Sequence, residues 1–171
     1  MQPVYYVIDT ATRTQVPATV RPATQNDFLK TEVEQWQTSW LSKFIQEDTL
    51  EKYALEISGT QELIGFGAYR DVPDGILVAV EYIESAPNSN PTLTCSRKFR
   101  GIGAALLAFG IQLSIDYGYG GTIYLKAKTS RLREHYIQDF GAIPFSHVDP
   151  FMLLIDGAAA KSLFSRFLEE E

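Results

Sequence analysis

Between Gly101 and Tyr117 the sequence reads GIGAALLAFGIQLSIDY. Its periodicity is helical, and only Gln112, Ser114 and Asp116 interrupt the small and apolar residues. A helix that is apolar nearly all round has no face to give to water, so it must lie against a sheet. Gly118, Gly120 and Gly121 stop it. At its other end Gly101 and Gly103 open the helix directly after Arg97, Lys98 and Arg100. The rest of the chain must therefore supply a sheet for this helix to cover.

Val4–Asp9 and Val16–Arg21 read as strands around a polar turn, Thr10–Thr14. Capping residues at Ala23–Asp27 precede a helical pattern from Phe28 to about Gln46, with Leu29, Val33, Trp36, Trp40 and Phe44 on one face. A meander follows: Tyr53–Ser58, Leu63–Arg70 and Ile76–Ser85, with turns at Gly59 and Pro73–Gly75. Beyond the polar loop Pro87–Phe99 and the buried helix, Thr122–Ala127 is a strand and Arg131–Phe140 a helix ended by Gly141. Ile143–Val148 and Phe151–Ile155 read as strands, and Ala158–Glu169 as the last helix, with Glu169–Glu171 a solvated end. This order predicts an α/β (α+β) domain: a mixed, mostly antiparallel central sheet with helices on both faces. At 171 residues, with no repeat or linker, the chain reads as a single domain over 1–171.

The net charge of −6 argues against a nucleic-acid partner, whose binding draws on a basic face. Cys95 is the one cysteine, and with His135 and His147 it shows no metal-ligand spacing, so no metal is expected. No stretch approaches the ~20 apolar residues of a membrane span, and the N-terminus does not read as a signal peptide. A cytoplasmic protein is the default expectation.

The first N–H groups of a helix have no internal partner and sit at the positive end of its dipole, so such a terminus binds phosphate. Gly101 and Gly103 would let ligand oxygens approach closely, and the three cations add charge. The plainer alternative is a glycine-rich helix start with solvated charges. The turn is not a dinucleotide fingerprint, since Leu106 stands where a third glycine belongs and a long loop precedes it. It is not a P-loop either, because no Gly-Lys-Ser/Thr is present.

Lys98-Phe99-Arg100-Gly101-Ile102-Gly103 resembles the Gln/Arg-x-x-Gly-x-Gly/Ala signature of the GNAT superfamily of acyl-CoA-dependent N-acetyltransferases, with Lys98 at its first position. Val20–Thr24 with Asp27 is similar to that family's first strand and turn, and Tyr136 with Gly141-Ala142 to its late Tyr-x-x-x-Gly-Phe element. Here four residues, not three, separate the tyrosine from the glycine. The resemblance covers about Ala18–Glu169. It leaves residues 1–17 as an extension, read as an added strand that could extend the sheet or reach a neighbour in a homodimer.

The resemblance implies that acetyl-CoA lies in a splay between the fourth and fifth core strands, around Ile83–Ala86 and Thr122–Ala127. The cofactor-binding set would be Ser85, Ala86, Lys98, Phe99, Arg100, Gly101, Ile102, Gly103 and Ala104. Amides near Ser85 and Ala86 would polarise the thioester carbonyl. Glu84, where an apolar strand meets a loop, is the candidate base that deprotonates the amine. Glu81 stands in reserve on the opposite strand face, or an oriented water serves. A solvated or paired strand-end carboxylate is the alternative for Glu84. Tyr136 is the candidate acid for the departing thiolate, or else a tyrosine that packs its helix. The expected function is direct transfer of acetyl to a primary amine, with the polar loop Pro87–Phe99 favouring a small polar acceptor. The rival from another class is an acyl-CoA-binding sensor without catalysis.

Overall fold

The structure, a computed structural model, describes residues 2–169. Glu170 and Glu171, part of the expected solvated end, lie outside the described residues. The strands are β1 (Tyr6–Asp9), β2 (Thr14–Pro22), β3 (Glu51–Ile57), β4 (Leu63–Val72), β5 (Leu77–Ser85), β6 (Phe99–Arg100), β7 (Ile123–Lys126), β8 (Ile143–Pro144) and β9 (Met152–Ile155). The helices are α1 (Gln25–Val33), α2 (Ile102–Asp116), α3 (Ser130–Phe140) and α4 (Gly157–Ser165). One sheet runs in the order β6-β1-β2-β3-β4-β5-β7-β9-β8. Its pairings are antiparallel except that of β5 with β7. The expected mixed, mostly antiparallel sheet is present. The expected N-terminal strand is β1, which pairs with residues 14–17 of β2 and, on its other side, with β6.

Two hydrophobic cores lie on the two faces of the sheet. On one face α2 packs over β4 and β5, burying Leu106, Leu107 and Ile111 completely or nearly so. Each such side chain contributes roughly 1.5–3 kcal/mol. Glycines in β4 let the helix come close. A Cβ at Gly65 would stand 2.9 Å from the Ile102 side chain, and one at Gly67 2.3 Å from the hydroxyl of Tyr69. That hydroxyl donates to the Leu106 carbonyl at 2.7 Å and fixes the helix along the sheet.

On the opposite face Thr24 and Asp27 form a capping box at the start of α1, and Arg21 makes a two-point ion pair with Asp27. The helix expected to run to Gln46 stops at Val33. Gln35 has φ 58, in the left-handed region. Leu29 and Val33 of the expected stripe are exposed, whereas Trp36 and Trp40 are buried. Both indoles reach the same ring, Phe66, with centroids at 5.1 and 4.8 Å. Packing on Phe66 thus overrides the helical period, and an irregular segment, 34–50, replaces the rest of the helix.

The strand expected over Ile143–Val148 shrinks to Ile143–Pro144. Pro144 has no N–H for a ladder, and the Ser146 hydroxyl accepts from the amides of Val148 and Asp149 to turn the chain. No helix among the described residues is long and apolar enough to cross a membrane.

Candidate active site

Strands β5 and β7 pair only through Val78–Ile123, Ala79–Tyr124 and Val80–Leu125. Beyond that point β5 stays with β4, while β7 stays with β9. The parting coincides with a bulge. Ala68 of β4 faces Tyr82 and Tyr69 faces Val80, which leaves Glu81 as the extra residue. A bulge bends its strand and re-aims side chains. The result is a cleft of about 600 Å³ between the end of β5, the first turn of α2, α3 and the loop before β6. The expected splay is there, and it opens immediately after Val80 and Leu125.

Gly101 caps α2 with φ 87, a left-handed conformation that glycine adopts without a steric cost. No side chain caps this end, and the first helical bond runs from the Ala105 N–H to the Gly101 carbonyl. The amides of Ile102, Gly103 and Ala104 therefore precede the helix ladder, at the positive end of the dipole. A Cβ on Gly103 would meet no protein atom within 4 Å, so packing within the chain does not require glycine there. Gly103 instead faces the cleft. Arg97 and Arg100 line the same region and form no ion pair among the described residues. Burial lowers the pKa of Arg97, and the like charges of Arg100 and Arg131 lower it further. Arg97 and Arg100 thus place two cations without an ion-pair partner among the described residues beside the first amides of α2.

Glu84 is 6% exposed and lines the cleft. Its Oε1 accepts from the Trp40 indole N–H at 3.4 Å, and its Oε2 has no partner among the described residues. Burial raises its pKa, while Thr38, Trp40 and Lys128 partly oppose the rise. Glu81 is engaged otherwise. It is ion-paired with Arg70 and accepts from the Tyr124 hydroxyl at 3.4 Å. The bulge also corrects the expected geometry of the two carboxylates. Val80 and Ile83 pack with the α2 core, Tyr82 with the opposite core. The strand phase is therefore reset at Glu81, and its contact with Tyr124 puts Glu81 on the same face as Glu84.

Tyr136 faces the cleft from α3, 8% exposed, with its ring stacked on Phe140. Desolvation raises its pKa. The extra residue before Gly141 is absorbed at the helix end, where Gly141 at φ 69 and Ala142 both donate to the Tyr136 carbonyl.

The cleft thus brings together Glu84, Tyr136, Ser85, Phe99, Arg100, Gly101, Ile102, Gly103 and Ala104. It does not bring in Ala86 or Lys98. The Ala86 N–H donates to the Ile64 carbonyl at 2.8 Å and so is not free for a ligand. Alternate residues of a strand address opposite neighbours, so the amides of Ser85 and Ile83 face the open edge instead. The Lys98 ammonium pairs with Glu62 at 2.8 Å, and its backbone N–H holds the loop through the Asn88 carbonyl. Sequence reasoning missed Lys128 and the Trp40 donor. Trp40 lies 44 positions from Glu84, and only the fold joins them.

No protein-family model matches the chain, and no curated protein sequence does. Solved structures do match. AtaTR bound with acetyl-CoA superposes with a TM-score of 0.56 at 14% identity, over 88% of this chain and 98% of that one. A GNAT-family protein from Desulfovibrio desulfuricans gives 0.53 at 13% identity, over 81% and 95%. The aminoglycoside acetyltransferase AAC(6')-Ib, in complex with coenzyme A and kanamycin, gives 0.53 at 13% identity, over 85% and 98%. The fold is that of the GNAT acetyltransferases.

Proposed function

We propose that this protein is an acetyl-CoA-dependent N-acetyltransferase, which passes the acetyl group directly to a primary amine of a small polar acceptor. The observation that carries the reading is the union, in one cleft, of an uncapped helix start and a buried carboxylate with one unmatched oxygen. A buried carboxylate oxygen without a donor is costly. A partner from outside the chain, an ammonium or its water, would relieve that cost. Two of the structural relatives were solved with acetyl-CoA or coenzyme A, which agrees with the co-substrate.

The free amides of α2 and the guanidinium groups of Arg97 and Arg100 would hold the pyrophosphate. Ser85 and Ile83 amides would polarise the thioester carbonyl. Glu84 takes a proton from the acceptor ammonium, directly or through water, and burial, which raises its pKa, makes it a stronger base than an exposed carboxylate. The freed amine lone pair then attacks the carbonyl carbon, and the negative charge falls on the oxygen beside those amides. As the C–S bond breaks, Tyr136 gives its proton to the sulfur, and the surplus proton on the new amide nitrogen passes through water to restore the tyrosine.

The test is release of free thiol from acetyl-CoA in the presence of kanamycin, spermidine and single amino acids. Thiol release that depends on one of these amines supports the reading. Slow release indifferent to every amine would favour a non-catalytic acyl-CoA-binding module.

A further inference from the structure

We infer that Trp40 is a positioning residue for Glu84: its indole N–H holds one carboxylate oxygen so that the other stays turned to the incoming amine. This rests on the reading of Glu84 as the base. Trp40 is 1% exposed and held from several sides. Its ring stacks on Phe66 at 4.8 Å with an interplanar angle of 28°. Its backbone N–H donates to the Thr31 hydroxyl at 3.2 Å, which in turn donates to the Phe28 carbonyl at 2.7 Å. Its carbonyl accepts from the Gln46 side chain at 2.6 Å. An indole fixed at both ends of its peptide unit and on its face has little freedom to redirect its N–H.

Trp36 supplies the control within the same cluster. It packs on the same Phe66 ring at 5.1 Å, yet its indole N–H goes to Glu34, outside the cleft. Packing alone therefore does not determine where an indole N–H points. Trp40 gives its donor to the one cleft carboxylate that has an unmatched oxygen. Thr38, in the same irregular segment, and Lys128, after β7, also favour the charged form of Glu84, and Tyr136 lines the same cleft from α3. Glu81 on β5 is occupied by Arg70 and Tyr124, and Lys126 by Asp149. A hydrogen bond to the charged form favours that form. Its removal must raise the proton affinity of Glu84.

The experiment is an NMR titration of the Glu84 carboxyl carbon in protein labelled with 13C-glutamate, with the signal assigned by Glu84→Gln. Trp40→Phe keeps a ring over Phe66 and removes the donor. Its Glu84 midpoint moves up by about half to one pH unit, a three- to tenfold gain in proton affinity. Trp36→Phe leaves the midpoint in place, and acetyl-CoA affinity by calorimetry stays within about twofold in both. Thr31→Val, which loosens the Trp40 backbone but keeps its indole, moves the midpoint the same way and less. An unmoved midpoint in Trp40→Phe overturns the inference, as does an equal movement in Trp36→Phe. Should Trp40→Phe not fold, an unmoved midpoint in Thr31→Val overturns it. Failure of the base assignment would look different: Glu84→Gln would retain amine-dependent turnover whatever this titration gives.

Discussion

The two faces of the sheet are built in contrasting ways. On one, α2 is a regular 15-residue helix laid on glycine-thinned strands, and its uncapped start meets the cleft with backbone amides. On the other, α1 ends after nine residues and an irregular, tryptophan-rich segment covers Glu84. The first face offers fixed dipoles from consecutive residues, suited to an invariant phosphate group. The second offers one carboxylate held by side chains distant in sequence. Irregular segments can be rebuilt without disturbing the helix that would hold the co-substrate. If the proposed function holds, co-substrate binding and proton removal should be separable, because they draw on opposite faces of the sheet.

Glu84→Gln tests that separation with the largest effect. Amine-dependent turnover should fall by about 10²–10⁴-fold while acetyl-CoA affinity is unchanged. Coupled losses of both in steady-state and calorimetric assays would break the comparison.

Asp27→Asn probes the scaffold of the α1 face. Burial pushes the Asp27 carboxyl up, but Arg21 and Thr24 outweigh it and hold the pKa at about 2. A carboxyl depressed in the folded state stabilises above its unfolded value of ~4, and that contribution is lost as pH falls toward 2. The variant should lose about 2 kcal/mol in urea unfolding at neutral pH, with the deficit shrinking between pH 4 and pH 2.

Arg97→Ala sharpens the α2 side. Loss of one charge-assisted contact predicts roughly tenfold weaker acetyl-CoA binding and a flatter dependence on salt, with the Glu84 titration untouched. The smallest effect belongs to stability. Because burial raises the Glu84 pKa in the folded state, its ionisation costs stability progressively as pH rises above the unfolded value of ~4, and the cost is complete once pH passes the folded value. Glu84→Gln should melt a few degrees higher than the wild type at pH 8, and the gap should close as pH falls below ~4.

The same contrast explains what the sequence discloses. α2 was expected over Gly101–Tyr117 and occupies Ile102–Asp116, because its burial and its glycine stops are written in adjacent residues. The phosphate-suited turn is legible for the same reason. Glu84 could be nominated from its place where an apolar strand meets a loop, and Tyr136 from the family resemblance, and both line the cleft. The bulge at Glu81 could not, since it arises from the register with β4 and has no local signature. The end of α1 at Val33 was equally hidden. The tryptophan spacing fits a helix, whereas in the fold both indoles pack on the Phe66 ring from an irregular segment. Ala86 and Lys98 match positions named by the family resemblance, yet tertiary partners, Ile64 and Glu62, take their donors.

The central claim is that the start of α2 binds acetyl-CoA through its backbone. The most direct measurement is a calorimetric titration of acetyl-CoA into wild type and Gly103→Val. A Cβ at Gly103 meets no protein atom, so the fold should tolerate the change while the added side chain blocks close approach of a ligand. The account predicts micromolar binding to the wild type and about a hundredfold weaker binding to a variant with an unchanged melting temperature. Equal affinity in the two proteins, or no binding to the wild type at millimolar acetyl-CoA, would contradict it.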